Sequence, residues 1–321
     1  MFQNKVTEML GIQHPIVGGT MMWLSTPEFT SAISNAGGLG ILASAIYQSK
    51  EEFSDAVDQL QSLTNKPFAV NLNLFPMMRP IDNNEYLDVL IDKGVKIIET
   101  SGHSAPEELC ARFKEAGILW IHKCVGLRYA LKVQSMGADI VTVVGYENGG
   151  ATGTLDIGTL VLVPTVAENL DIPVIGGGGV SDGRGLLAVL ALGAQAVIIG
   201  TRLLVTKEAP VHDNLKQALL NASELDTMLI MRSIGSTHRV WANDPAKKCA
   251  ELESRQAGLE ELLQVVGGSK AKVLYDEGKL DSGIVACGQG IGMAHDIPTV
   301  KELFDRIISE AEERAKALAA N

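Results

Sequence analysis

Four consecutive glycines, Gly176-Gly177-Gly178-Gly179, lead into Val180-Ser181-Asp182-Gly183, and a second small-residue junction, Gly200-Thr201-Arg202, comes one short apolar run later. Without a Cβ, such a backbone can bring its N–H groups onto phosphate oxygens. Each junction ends an apolar run and opens a helix-like segment, so the two together suit one phosphate. The plainer alternative is two tight turns with no ligand.

Other residues add chemistry. Lys123 closes the run Ile121-His122-Lys123-Cys124, where a cation can stabilise negative charge on a reduced ring such as a flavin. Its alternative is a surface lysine at a strand end. His122 should point the opposite way and be packed or hydrogen-bonded. Asn71 and Asn73 alternate in Val70-Asn71-Leu72-Asn73-Leu74, so both are expected to face one polar site or to be satisfied by nearby backbone. His103, in Ser101-Gly102-His103-Ser104, is a candidate proton-transfer group, with a capping or solvated role as the alternative. Pro15-Ile16-Val17-Gly18-Gly19-Thr20-Met21-Met22 would let a flat ring lie against backbone, and Gly149-Gly150-Ala151-Thr152-Gly153 could lie over it. His14, His212, His238 and His295 have no strong local context.

Elements must hold these residues in place. Eight apolar runs end in Gly, Asn, Thr or Ser: 15–19, 38–44, 67–74, 95–102, 118–125, 139–145, 173–179 and 196–201. They recur roughly every 20–35 residues, the span of one βα unit. Their continuous apolar character predicts parallel strands covered on both faces. Helix patterns intervene at 27–36, 50–63, 106–116 (with Ser104 as N-cap) and 183–192. The expected fold is an α/β (β/α)8 TIM barrel, with ligands at the C-terminal strand ends. Residues 209–290 are more polar and are read as a helical insertion or lid. The barrel is assigned 1–208 and 291–321, the last part including a C-terminal helix over 298–319.

Bulk properties bound the function. The chain has 321 residues, 46% of them hydrophobic, enough for one large core. A formal net charge of -11 and 5% aromatic residues argue against a nucleic-acid partner. Cys110, Cys124, Cys249 and Cys287 are far apart and read as reduced thiols, with no metal-binding cluster. No signal peptide or long apolar span is evident, which predicts a cytoplasmic protein with no membrane partner.

Taken jointly, His14-Pro15-Ile16, Gly37-Gly38-Leu39-Gly40, Pro67-Phe68-Ala69-Val70-Asn71, Ile121-His122-Lys123-Cys124, the 176–183 stretch, Leu192-Gly193-Ala194, Gly200-Thr201-Arg202, Ile230-Met231-Arg232-Ser233 and Asp281-Ser282-Gly283 carry a resemblance. Over nearly its whole length the chain resembles the nitronate monooxygenase family (formerly 2-nitropropane dioxygenases), with the related flavin-dependent enoyl-acyl-carrier-protein reductase II and NADH:quinone reductase. The resemblance implies FMN as cofactor. It places FMN contacts near Thr20, Met21, Met22, Asn73, Lys123, Gly150, Gly177, Gly178, Gly179, Gly200 and Thr201. It implies a small nitronate-like substrate and O2, with NAD(P)H as a further partner, and leaves a homodimer open.

One departure bears on mechanism. Many members carry Gly-Gly-His-x-Gly after the sixth strand, with that histidine as proposed base or proton donor; the position here is Ala151. An acidic residue that some members carry just before that loop is read here as Val144. Lys123 and His103 remain the catalytic candidates. An anionic nitronate has already lost its α-proton, whereas a neutral nitroalkane needs a base, worth about 10²–10⁴-fold. The expectation is turnover of nitronates with poor use of neutral nitroalkanes, unless His103 or another group substitutes. The alternatives are an NAD(P)H-dependent FMN reductase with a quinone or enoyl-thioester acceptor, and a flavin-binding protein that has lost catalysis.

Overall fold

The computed structural model describes residues 2–75, 81–102 and 105–320. Each expected run forms a parallel strand: β1 (Ile16–Gly18), β2 (Gly40–Ala43), β3 (Phe68–Asn73), β4 (Ile97–Ser101), β5 (Leu119–Cys124) and β6 (Ile140–Val144), then β8 (Val174–Gly177) and β9 (Ala196–Ile199). Between β6 and β8 lies a two-residue strand, β7 (Gly150–Ala151). The eight barrel strands run in the order β1-β9-β8-β6-β5-β4-β3-β2. The two ends of that row meet where Gly18 N–H donates to the Leu39 carbonyl at 2.9 Å and Leu39 N–H to that of Ile16 at 3.0 Å. The chain is a TIM barrel.

Period-two alternation sets what faces inward. Val17, Ala69, Ile97, Ile121, Ile140, Ile175 and Ile198 fill the barrel interior. Val6, Leu10 and Ile12, on and after the helix Lys5–Leu10, join that cluster and close the bottom. Neighbouring positions such as Val70, Ile98, Val141 and Val197 pack outward against the helices. The same parity turns Asn71, Glu99 and Lys123 inward one step above the apolar layer, so the interior becomes polar toward the C-terminal mouth.

The helices follow local signals. Ser49 caps Lys50–Leu63, and Thr299 with Glu302 forms a capping box at the start of Val300–Ala319. The helix expected over 106–116 spans only Cys110–Glu115, because Pro106 to Leu109 form a turn in which Leu109 N–H donates to the Pro106 carbonyl. Ser104, its expected cap, lies outside the described residues.

The segment after the barrel is not purely helical. Helices Asp213–Leu220, Asp244–Ser254, Leu259–Val266 and Gly268–Glu277 accompany two antiparallel strands, β10 (Thr227–Ile230) and β11 (His238–Trp241). β11 pairs in turn with β7, so a barrel loop supplies the third strand of this small sheet. Ile230, Val240, Ala246, Cys249, Leu262 and Val266 form a separate core beneath it. No described helix is long and apolar enough to cross a membrane.

Candidate active site

A cavity of about 530 Å³ opens over the C-terminal strand ends, within the range of small-molecule sites. Its floor and walls come from the strand ends and the loops that follow them. Its roof comes from 235–238, Tyr275 and the Gly288–Gly290 region.

On one side stand the glycine loops. Gly178 and Gly179 hold φ of 105° and 73°, the left-handed region that disfavours any Cβ. A Cβ on Gly178 would lie 2.6 Å from Thr159 Oγ1 and 3.0 Å from Gly145 N, so this backbone is pressed against its neighbours. Among the described residues, no acceptor meets the N–H groups of Gly178, Gly179, Gly200 or Thr201. The helix start behind the first loop is occupied: Asp182 accepts from Arg184 and Gly185 N–H, and Glu310 accepts from Gly183 N–H at 2.9 Å. At this loop the free donors belong to the turn and not to the helix end. A Cβ on Gly200 would meet only Met21 Sδ, at 3.9 Å, so the space above it is open cradle.

Across the mouth, Lys123 Nζ lies 3.7 Å from Glu99 Oε1. Glu99 is fully buried, a lone acid in the run Ile97-Ile98-Glu99-Thr100-Ser101. Its Oε1 accepts from Thr20 Oγ1 at 2.7 Å and from Asn71 Nδ2 at 2.8 Å. Among the described residues its Oε2 has no hydrogen-bond partner. Such an orphaned carboxylate oxygen beneath a cation is costly to bury and marks a polar floor that a ligand would help satisfy. Sequence reading missed Glu99, although an acid inside an otherwise apolar strand was a usable signal.

The expected cofactor contacts separate. Thr20, Met21, Met22, Lys123, Gly150, Gly178, Gly179, Gly200 and Thr201 all line the cavity. Asn73 and Gly177 do not. Asn73 turns its amide to its own loop, donating to the Phe75 carbonyl and accepting from Phe75 N–H, each at 3.3 Å, so only Asn71 joins the polar floor. Gly177 sits one layer down, where a Cβ would be 2.3 Å from Ile198 Cγ2. His103 lies outside the described residues.

Three other groups are settled by their partners. His122 is buried, its Nδ1 2.8 Å from Thr100 Oγ1, which also accepts from Trp120 Nε1. Burial, with Lys123 adjacent, pushes the His122 pKa down to about 4, so the ring is neutral. Burial pushes the Cys124 thiol up to about 12, which keeps it protonated and poorly nucleophilic. Glu147 accepts from Thr159 N–H at 3.0 Å and Thr159 Oγ1 at 2.9 Å, capping the helix Thr159–Ala167 from the cavity wall. Glu147, four residues before Ala151, lines this cavity, as does Val144, the position read from sequence as the lost acid, which also packs on the barrel's inner cluster.

Comparison with known proteins follows the same lines. The family profile for nitronate monooxygenase matches residues 3–86 and 77–310. The chain is 35% identical to a (3aS,4S,5R,7aS)-5-hydroxy-7a-methyl-1-oxo-octahydro-1H-indene-4-carboxyl-CoA dehydrogenase of Rhodococcus jostii (strain RHA1), over 99% of this chain and 98% of that protein. It is 29% identical to a protein named probable nitronate monooxygenase from Staphylococcus saprophyticus, over 78% of this chain and 81% of that one. Among solved structures, FabK from Thermotoga maritima superposes with a TM-score of 0.91 at 33% identity, covering 100% of this chain and 99% of that one.

Proposed function

Because the chain belongs to the nitronate monooxygenase family and is an oxidoreductase, we propose that it binds FMN and acts on an acyl thioester. The observation that carries FMN is the cluster of unmet N–H groups at Gly178, Gly179, Gly200 and Thr201, facing a cavity with Lys123 at its other side. Those turns would hold the 5′-phosphate. Lys123, steadied by Glu99, would offer positive charge to the ring, and Thr20 and Met21 would line its bed. When bound, FMN supplies reversible two-electron chemistry.

The thioester reading rests on two supports. The full-length likeness at 33–35% identity is to a CoA-thioester dehydrogenase and to FabK, an enoyl-acyl-carrier-protein reductase II. The cavity's lip is also apolar: Met22, Tyr129 and Leu155 line it while remaining exposed. Exposed apolar side chains at a pocket mouth suit an acyl group more than a small nitro compound. NAD(P)H would be the electron donor if the thioester is unsaturated.

The second reading is oxidation of nitronates with O2. Ala151 favours it, since an anionic nitronate needs no base at that position. Purified protein should show a flavin visible spectrum. Mixed without oxygen, NADH or NADPH followed by crotonyl-CoA should bleach and then restore the absorbance, or butyryl-CoA should bleach it directly. Bleaching by ethyl nitronate alone would decide for the second reading. Protein that is colourless and takes up no added FMN would refute both.

A further inference from the structure

The donors around Glu99 all gather on one of its oxygens. Thr20 Oγ1 donates to Oε1 at 2.7 Å, Asn71 Nδ2 donates to it at 2.8 Å, and Lys123 Nζ approaches it at 3.7 Å. Among the described residues Oε2 takes no hydrogen bond. The carboxylate has no exposed surface, so water does not screen it. Strand register sets Asn71 level with Glu99, and Lys123 level with Ser101, one inward-facing position nearer the mouth. Lys123 and Thr20 line the cavity, and Glu99 stands behind both. A ligand against that wall therefore meets an ammonium backed by a buried anion.

We propose that Glu99 is a positioning residue that sets the reduction potential of the bound flavin by offsetting the charge of Lys123 from behind. The inference deepens the FMN reading above and rests on it. A buried ion pair seldom stabilises a fold more than apolar side chains of the same size, so an acid kept in this strand points to chemistry. Two electrons and one proton entering the isoalloxazine leave it one unit more negative. Lys123 favours that change and Glu99 opposes it. In surroundings of low dielectric both fields reach farther than they would in water. With Glu99 in place the reduced flavin is the stronger electron donor, which suits hydride transfer to an unsaturated thioester.

Thr20 makes the charge separable from the bonding. Its hydroxyl proton is directed at Glu99, so toward the cavity Thr20 Oγ1 offers lone pairs. Glutamine at position 99 would keep an oxygen for Thr20 and Asn71 while removing the negative charge. A change seen in Glu99→Gln is then a change of field, with the hydrogen-bonded floor retained.

The test uses FMN-loaded protein reduced by dithionite without oxygen, beside a reference dye that reads the midpoint potential. Glu99→Gln should bind FMN within about threefold of the wild type, yet its potential should be more positive. Sulfite, an anion that bleaches oxidised flavin by adding to the ring, should bind about tenfold more tightly. Lys123→Met should shift both readings the opposite way. Lys123→Met/Glu99→Gln, which strands no charge, should recover more than half of that shift, and it keeps the comparison open should Glu99→Gln misfold. A structural role alone would weaken folding or FMN binding and leave the potential where it was. A potential in Glu99→Gln equal to or below that of the wild type, or a double variant no higher than Lys123→Met, would overturn the proposal. Wild-type protein that takes up no FMN would instead refute the cofactor reading, and this inference with it.

Discussion

Lys123 Nζ stands 3.7 Å from the carboxylate of Glu99, which has no exposed surface. The pair joins β4 to β5 at the level where the barrel interior turns from apolar to polar. Lys123→Met would leave Glu99 buried without its countercharge, and breaking a buried pair from one side costs about 3 kcal/mol. Adding Glu99→Gln removes the stranded charge, so the double variant should regain more than half of that loss in urea unfolding. A double variant no more stable than Lys123→Met would show that the two groups are not coupled.

Gly200 separates binding from folding. Its φ of -127° is open to any residue, and an added Cβ meets only Met21 Sδ at 3.9 Å. Gly200→Ala should therefore unfold within about 0.5 kcal/mol of the parent, as substitutions free of steric conflict do. The methyl group would stand in the cradle proposed for the phosphate. FMN affinity should fall at least about tenfold, a loss of about 1.4 kcal/mol. Unchanged FMN affinity in a fluorescence titration would move the phosphate elsewhere.

Asp296 serves two arginines. Its carboxylate accepts from the buried Arg202 at 2.5 Å and from Arg306 at 2.7 Å. Arg306, the largest influence, and Arg202 hold its pKa below the ordinary carboxylate range despite partial burial. The unfolded chain takes up this proton first, near pH 3.9. The stabilisation is thus complete above that value and disappears as pH falls through the lower folded pKa. Asp296→Asn should flatten this acid limb of the stability profile. Asp296→Ala should cost about 2 kcal/mol at pH 7 by stranding the Arg202 guanidinium. An acid limb identical in Asp296→Asn would contradict the assignment.

His122 adds a second, less acidic limb. Burial first, and Lys123 second, lower its pKa to about 4 in the fold. Unfolded histidine protonates near pH 6.5, so acidification below that value favours the unfolded chain until the folded ring also protonates near pH 4. Stability should fall by about 3 kcal/mol across that window, since one pKa unit is about 1.4 kcal/mol. The slope between pH 6.5 and 4 should be shallower by one proton in His122→Gln, measured by urea unfolding at each pH.

The barrel was legible because its signals are local. Runs such as Ile140-Val141-Thr142-Val143-Val144 and Ala196-Val197-Ile198-Ile199 are buried throughout, and the glycine-rich ends at Gly178, Gly179 and Gly200 line the cavity. The same locality explains the errors. Asn73 shares parity with Asn71, yet it lies at the rim, where its own loop satisfies it. Strands β10 and β11 are four residues each, too short for period to reveal them among helices. Their stability comes from pairing with a two-residue strand contributed by a distant loop.

From composition, periodicity and motif spacing came the barrel, its polar mouth and the glycine turns, and the resemblance to the family marked the departure at Ala151. Folding in three dimensions decided which groups these positions meet. Glu99 meets Lys123, Thr20 and Asn71 only because strand register aligns them, and His238 reaches Ala151 only through a ladder between segments far apart in the chain. Local order is encoded by neighbouring residues, whereas the chemistry of a pocket depends on groups whose separation along the chain says nothing about their distance in space.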